Sequence, residues 1–323
     1  YTMLSIAHNS WGSFLADDYD ERSRLFGWRE IFIIIGMIFV LAIPATMDFF
    51  GQSSTRDKVA GMGLFCLILF PLTVIPTLVA VPDKVAERSE ALGWQDMAGL
   101  LRSNPILWRL LTADFTTSFA VSATAALYIF FATYAFELQN HASLALLLYF
   151  VAGFLAMPAW LKLAFRMGKV GAIRLAMGYT MVLQGGLFFV TEPGNVVLFW
   201  SYTFLAGLAF GATPTLLHSM MADLTHLDEL KTGQKRAGMY FALLATINKL
   251  GGAVAVGVTL TAADKLFNFT PGAANSQAAI DGLLLIFCFA PAAALALTYL
   301  PLFRYPLTKE RHAEIRRSLP AEK

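Results

Sequence analysis

Eight long apolar segments are the feature that most limits what this chain can fold into. A helix that crosses the hydrocarbon core of a bilayer needs about 20 mainly apolar residues. Such segments lie at about residues 30–50, 59–82, 105–136, 142–164, 171–190, 195–222, 237–262 and 278–302, and a shorter one at about 1–16. Because backbone N–H and C=O groups find no partner in lipid, these segments must be helical. The sequence therefore predicts an all-α, polytopic membrane protein.

The charged residues are too few to cover a water-exposed surface. They make up 14% of the 323 residues, against 57% hydrophobic residues, whereas a soluble domain has about 25% charged residues. The net charge of +2 is too small to indicate a nucleic-acid partner. The sequence has no Gly-Lys-Ser/Thr phosphate loop and no metal-spaced His/Cys cluster. We therefore expect membrane lipid as a partner, and no enzyme activity, metal site or cofactor.

Positive charge marks one side of the membrane. Alternate loops and the C-terminal tail hold 20 of the 24 Lys and Arg residues, while the other loops hold only Arg56, Lys58 and Lys265. Since basic residues favour cytoplasmic loops, we expect the C-terminus to face the cytoplasm. The remaining basic residue, Lys249, lies inside an apolar segment.

Two loops on the predicted cytoplasmic side resemble each other. Residues 17–30 (DDYDERSRLFGWRE) and 222–238 (ADLTHLDELKTGQKRAG) both carry an early Asp, pass through Asp-Glu, turn basic and enter an apolar segment. Parallel repeats of six helices are the building plan of major-facilitator transporters. The two loops therefore favour a fold made of two related halves.

The longest connection, which contains DKVAERSEALGWQDM, is predicted to be a soluble helical linker between these halves. The chain then divides into the remainder of a first helix bundle (1–82), the cytoplasmic linker (83–104), a second bundle of six helices (105–302) and a cytoplasmic tail (303–323). Two equal halves would need three more helices before Tyr1. We therefore expect a major-facilitator fold that lacks about the first three of its twelve helices.

With these motifs, the chain resembles the glycoside–pentoside–hexuronide:cation symporter family of the major facilitator superfamily. The family pattern after its fourth helix, roughly Asp-x-x-x-Glu-Arg-(Ser/Thr)-x-Leu and then Arg, is matched by Asp17, Asp18, Glu21, Arg22, Ser23, Leu25 and Arg29. The pattern before its eleventh helix is matched by Asp223, Asp228, Glu229, Thr232, Gly233, Arg236, Gly238 and Lys249. His226 and Ala237 depart from it, since family members often have acidic residues there.

The resemblance implies symport of a sugar or glycoside with a monovalent cation, Na⁺ or H⁺, by alternating access in the bacterial inner membrane. Family members place their main cation-binding carboxylates on the second helix, which would precede Tyr1. The coupling ion therefore stays open at this point.

The two similar loops carry a candidate cytoplasmic gate. Its residues are Asp17, Asp18, Glu21 and Arg22 in the first loop, and Asp223, Asp228, Glu229, Thr232, Gly233 and Arg236 in the second. Acids interleaved with arginines in both loops favour ion pairs that form in one transport state and break in another. The alternative is a pair of solvated loops whose arginines only set the topology, since exposed ion pairs contribute about 0–1 kcal/mol.

Lys249 is the strongest candidate for the substrate and coupling cavity. It lies eleven residues beyond Gly238, or about 16 Å along a helix, near the middle of a ~30 Å hydrocarbon core. A charge there costs about 2.5–3.5 kcal/mol, so we expect Lys249 to face a cavity or a partner, with snorkelling as the alternative. The resemblance places the matching Lys beside the sugar and cation sites. Asn248 adds an amide at the same depth, and Arg29 lies on the cytoplasmic side of the cavity.

Three further residues complete the predicted cavity. Asp114, in the segment LLTADFTTSF, has two interpretations: it lines the pathway and binds a proton, or it is a neutral carboxyl that packs between helices. Trp11 and His8 lie in the short first segment, where an aromatic ring that faces the cavity could stack on a sugar.

The sequence leaves three functions open, in order of preference. The first is secondary active symport of a sugar or glycoside with Na⁺ or H⁺. The second is a carrier of lysolipids or other amphiphiles on the same fold, as in animal relatives of the family. The third is a non-transporting membrane subunit or sensor, which leaves the repeated charged loops unexplained.

Overall fold

The computed structural model describes residues 32–33, 35–47, 50, 54–81, 99–101, 104–232, 237–303 and 305–306. Within these ranges the helices are α1 (Ile35–Met47), α2 (Thr55–Ala80), α3 (Pro105–Phe130), α4 (Ala142–Met167), α5 (Lys169–Val190), α6 (Val196–Leu208), α7 (Ala212–Thr232), α8 (Ala237–Phe267) and α9 (Gln277–Leu302). Helix α3 continues as a π-helix, Phe131–Ala135, and a short 3₁₀ turn, Gln139–His141, precedes α4. The same residues contain no strand.

Seven helical spans are long and apolar enough to cross a membrane in the part of the chain that the structure describes. They are Thr55–Ala80, Pro105–Ala135, Gln139–Met167, Lys169–Val190, Val196–Thr225, Gly238–Phe267 and Gln277–Leu302. The prediction of an all-α, polytopic membrane protein is confirmed. The predicted segment at 30–50 is represented in the structure by the 13 residues of α1. Most of the predicted linker, 83–104, lies outside the described residues.

Local sequence explains where several helices begin. The Asn104 side chain accepts hydrogen bonds from the backbone N–H groups of Ile106 and Leu107, both at 3.2 Å, and Pro105 occupies the first turn of α3. An Asn cap followed by Pro satisfies free N–H groups and presets the helical backbone. Ser276 caps α9 in the same way, through the N–H of Ala279.

Helix α3 is the central element of the six spans from Pro105 to Leu302. It packs against α7, α8 and α9, and its buried face includes Leu107, Asp114 and Leu127. Small residues let α8 approach it closely: a Cβ added at Gly251 would lie 2.6 Å from the carbonyl oxygen of Phe115. This contact brings the polar side chains of α3 and α8 within reach of each other.

Apolar side chains fill the bundle at both ends. The end that contains the α7–α8 connection is packed around residues such as Leu110, Met221 and Tyr240. At the opposite end the rings of Phe131 and Phe287 stack with centroids 4.0 Å apart. Helices α3 and α8 run between these ends and carry the polar side chains of Asp114, Ser118 and Asn248.

The predicted span 195–222 is divided into two helices. Gly211 has a φ of +77°, a left-handed conformation that glycine adopts without strain, and it separates α6 from α7. The carbonyls freed near the break find donors on neighbouring helices, Trp160 Nε1 on the oxygen of Leu208 and the Tyr179 hydroxyl on that of Leu205, both at 2.7 Å. Such side-chain donors are what allow a helix to break inside a membrane.

Helix α2 differs from the six spans that follow. None of its residues is buried, although the span is as apolar as α9. It contacts α1, since a Cβ added at Gly61 would lie 3.1 Å from Ile43 Cγ2.

Candidate functional site

Asp114, Ser118 and Asn248 form a polar cluster between α3 and α8. Asp114 and Ser118 lie one turn apart on α3, and the Asn248 amide donates a hydrogen bond to Ser118 Oγ and also interacts with the Asp114 carboxyl. Asp114 is only 1% exposed. Its Oδ2 atom has no hydrogen-bond partner among the described residues. Two of the predicted cavity residues, Asp114 and Asn248, are therefore neighbours.

Further hydrogen bonds hold the helices around this cluster. Thr116 on α3 and Thr298 on α9 share a hydrogen bond of 2.7 Å between their hydroxyls. Gln184 on α5 donates to Thr124 Oγ1 at 3.0 Å and to the carbonyl of Phe287 at 3.1 Å. Buried polar contacts of this kind fix the relative position of membrane helices.

His218 is a cluster neighbour that the sequence analysis missed. It lies on α7 with an exposed side chain, and it interacts electrostatically with the Asp114 carboxyl. Its Nδ1 atom is 2.8 Å from the carbonyl oxygen of Pro214. A usable signal was present, because an ionisable residue inside a membrane span indicates a functional site by default, and His218 interrupts such a span.

Lys249 lies near the middle of α8, as its position in the sequence predicts, but on an exposed face of that helix. The buried stripe of α8 runs through Tyr240, Leu244, Ala255 and Thr259, which are separated by whole helical turns and so lie on one face of the helix. Lys249 is rotated off this stripe and, like Asn248, is exposed, but the Asn248 amide reaches Ser118 of α3. Its role in a cavity stays a prediction.

The predicted gate residues that the structure describes lie in the second half of α7. Asp223 forms an ion pair with Lys169 at the start of α5, and Lys169 also donates to the carbonyl of Ser219 at 3.3 Å. The Asp228 side chain is half-buried, and its Oδ2 atom has no hydrogen-bond partner within the described ranges. Thr232 Oγ1 donates to the backbone carbonyl of Asp228 at 2.8 Å. Lys169 is one of the 20 basic residues that the sequence analysis assigned to the cytoplasmic side, and the structure makes it the partner of Asp223.

A second set of contacts anchors the end of α9 on the same side. Arg174 donates to the carbonyl of Leu302 at 2.7 Å and Arg109 to that of Phe303 at 3.4 Å, which places positive charge at a helix C-terminus, where it is stabilising. Tyr305 lies beside them, and burial raises the pKa of its hydroxyl far above the ordinary value.

The other predicted site residues cannot be placed. His8, Trp11, Asp17, Asp18, Glu21, Arg22, Arg29, Gly233 and Arg236 lie outside the described residues, as does the side chain of Glu229.

Neutralising the Asp223–Lys169 pair is expected to affect stability little. Both side chains are about one-third exposed, and such pairs contribute about 0–1 kcal/mol. Asp223→Asn should therefore unfold within about 2 °C of the wild type. If the pair belongs to a gate, the transport rate changes while stability does not, and the charge exchange Lys169→Asp with Asp223→Lys restores it. A large loss of thermal stability in Asp223→Asn would show a structural role instead.

Several known proteins with similar sequences are named as transporters or symporters. Residues 1–309 match the family described as "MFS/sugar transport protein". The chain is 32% identical over 169 residues to an uncharacterized symporter of Synechocystis, covering 50% of the chain and 30% of that protein. It is 23% identical over 319 residues to the raffinose carrier protein of Pediococcus pentosaceus, covering 93% and 48%. A third relative is the sphingosine-1-phosphate transporter MFSD2B of Xenopus tropicalis, 24% identical over 207 residues, covering 64% and 40%. The chain thus spans less than half the length of each of these relatives.

Proposed function

Because this chain belongs to the MFS/sugar transport protein family, a family of transporters rather than enzymes, we propose that it moves a sugar or glycoside inward together with Na⁺ or H⁺. The resemblance to the glycoside–pentoside–hexuronide:cation symporters is confirmed by the family match and by the named relatives. The protein is an integral membrane protein. Alternating access between two helix bundles would expose the solute to each side in turn.

The observation that carries this proposal is the polar cluster of Asp114, Ser118 and Asn248. A carboxyl, a hydroxyl and an amide converge between two otherwise apolar helices. Polar groups at this depth are costly in a membrane unless they serve a solute, an ion or a partner. The hydroxyl groups of a sugar are donors and acceptors that match such groups.

The gate and the orientation complete the proposal. We place the Asp223–Lys169 pair, with Asp228 and Thr232, at the cytoplasmic end of the pathway, together with Arg236 and the acids and arginines of residues 17–30. Lys249 and Arg29 would face the solute between the bundles, and Trp11 and His8 would line its wall. The location would be a bacterial plasma membrane with the C-terminus in the cytoplasm, which protease digestion of sealed inverted vesicles would test.

A lipid carrier is the second candidate. The similarity to the sphingosine-1-phosphate transporter favours it. An amphiphile with a single polar head needs fewer polar side chains at mid-depth than a sugar does, so the cluster between α3 and α8 supports the sugar more strongly.

Solute uptake by the full native chain in proteoliposomes tests the proposal. The panel comprises glycosides, pentoses, hexuronides and lysolipids, with Na⁺ and proton gradients imposed separately and empty liposomes as the blank. We expect uptake of a sugar driven by one gradient. Uptake of lysolipids alone would favour the second candidate, and no gradient-driven uptake of any solute by folded protein would contradict both.

Asn248→Ala should lower sugar uptake at least about tenfold, the effect of losing one or two hydrogen bonds to an uncharged solute. Thr261→Ala is the matched control, since Thr261 is an exposed polar residue on the same helix. Equal losses in both variants would indicate that the amide has no specific role.

A further inference from the structure

The Asp114 carboxyl is the ionisable group of the polar cluster, and it is buried. The residue is 1% exposed, and among the described residues the carboxylate is compensated by its interaction with Asn248 and by the charge of His218. The Oδ2 atom is buried and has no hydrogen-bond partner among the residues described. A buried carboxylate in this condition needs a proton or another cation to balance its charge.

The surrounding oxygens fit a proton better than a metal cation. A hard cation takes several oxygen ligands, but Ser118 Oγ already accepts from Asn248, and the Thr116 hydroxyl is bonded to Thr298. Of the described side-chain oxygens on this face of α3, Asp114 Oδ2 and the Thr117 hydroxyl are the two that are buried without a partner. Two oxygens are too few for a cation cage, whereas one oxygen suffices for a proton.

His218 connects this carboxyl with the exposed surface of the bundle. Its side chain is exposed, whereas Asp114 is buried. With Nδ1 donating to the carbonyl of Pro214, the ring presents Nε2 as the atom that takes up and releases a proton. Imidazole is the side chain that exchanges protons most readily near neutral pH.

The other helices that pack on α3 bring few ionisable groups to this level. Helix α8 contributes the neutral Asn248 and the charged Lys249, both of which are exposed. Helix α9 contributes the hydroxyl of Thr298, and α7 contributes His218. Toward the α7–α8 connection the next charged groups are Asp223 with Lys169, and Arg109.

We propose that Asp114 is the group that binds and releases the coupling proton, and that His218 relays this proton between Asp114 and the exposed face of the bundle. In the loading step the Nε2–H bond of the imidazolium breaks and, because no hydrogen bond joins His218 to Asp114 Oδ2 among the described residues, the proton passes through a water molecule before an O–H bond forms at Oδ2. A neutral imidazole and a neutral carboxyl remain. In the release step the same atoms exchange the proton in reverse. This proposal rests on the proposed function and deepens it, because it names the proton as the cation and places its site in the second helix bundle.

Asp114→Asn separates sugar movement from proton movement. Asn has the shape of the protonated carboxyl, so exchange of labelled for unlabelled sugar at equal pH on both sides should persist, although it falls by whatever contact with the sugar the carboxyl supplied, and it should fall less than the two proton-dependent readouts. Accumulation driven by a pH gradient, and the proton uptake that a pH-sensitive dye reports when sugar is added, should fall at least about tenfold. Asp281→Asn is the matched control, since Asp281 is exposed at the start of α9 and is bonded to Gln277.

His218→Gln should leave exchange unchanged and slow the pH-driven uptake about tenfold, because the carboxyl loses its relay. His141→Gln provides the control on a histidine at the opposite end of α3. Proton-coupled accumulation in Asp114→Asn at the wild-type level would overturn the proposal. Uptake by the wild type that follows only the Na⁺ gradient, with no proton movement, would overturn it as well.

A measurement without any sugar distinguishes this proposal from the proposed function. Infrared difference spectra of the wild type after a pH change should show the C=O stretching band of a protonated carboxyl, and Asp114→Asn should lack it. If no sugar moves in any assay but this band is assigned to Asp114, the solute is wrong and the proton site stands. If the band is the same in both proteins, the proton site is wrong whatever the solute.

Discussion

Replacing Gly207 with valine is expected to separate α6 from α4 and to destabilise the folded protein strongly. A Cβ at this position would collide with the carbonyl oxygen, Cα and carbonyl carbon of Tyr149. These are backbone atoms of α4, which cannot rotate away as a side chain does. Forcing extra atoms into a packed contact costs about 1–3 kcal/mol, and more where nothing can yield. We expect the unfolding temperature to fall by about 10 °C.

The matched control for this variant is Gly186→Val on α5. A Cβ added at Gly186 meets nothing within 4 Å, so the same substitution in a membrane helix should change the unfolding temperature little. Thermal unfolding can be followed with a thiol-reactive dye when both variants also carry Cys66→Ala, since Cys66 is exposed and Cys288 is buried in the folded protein. Equal stability of the two variants would show that α4 and α6 do not pack as closely as described.

Lys249→Ala is expected to abolish transport and to leave the protein at least as stable as the wild type. A charge in the middle of a span costs about 2.5–3.5 kcal/mol on insertion scales, so removing it should not weaken the fold. Loss of a group that faces the solute or the coupling site should lower uptake about 100-fold or more. Transport falls while the thermal stability is kept or raised, and only a functional role of Lys249 predicts both results.

Lys265→Ala is the control on the same helix. Lys265 is exposed near the end of α8 and lies 3.0 Å from Asp264, so its loss should leave uptake unchanged. Full uptake by Lys249→Ala would remove this residue from the cavity. A strong drop in stability would instead make Lys249 a structural residue.

The interior of the bundle shows where prediction from sequence ends. Asp114 and Asn248 stood out individually, because each is polar within an apolar span. That they are neighbours depends on the contact between α3 and α8 at Gly251, which joins positions far apart in the chain. His218 was missed although the same rule applied to it, and only its electrostatic interaction with Asp114 gave it a role.

The pattern of apolar residues also does not predict the break between α6 and α7 at Gly211. Hydropathy over 195–222 is continuous, so a single span was the natural prediction. The break is tolerated because Trp160 and Tyr179 donate to the carbonyls near it, and those donors come from α4 and α5. Similarly, the partner of Asp223 could not be chosen from the several basic residues of its side until α5 was placed against α7.

The sequence by itself determined that the chain is a helical membrane protein and which family it belongs to, because spans of apolar residues and the spacing of charges in loops are local properties. The tertiary structure alone decided which polar groups interact: the Asp114 carboxyl with the Asn248 amide and, through its charge, with His218, and Asp223 with Lys169. The physical reason is that a buried polar group is stable only beside a partner, and the partner is supplied by a different helix whose rotation and depth are set by packing.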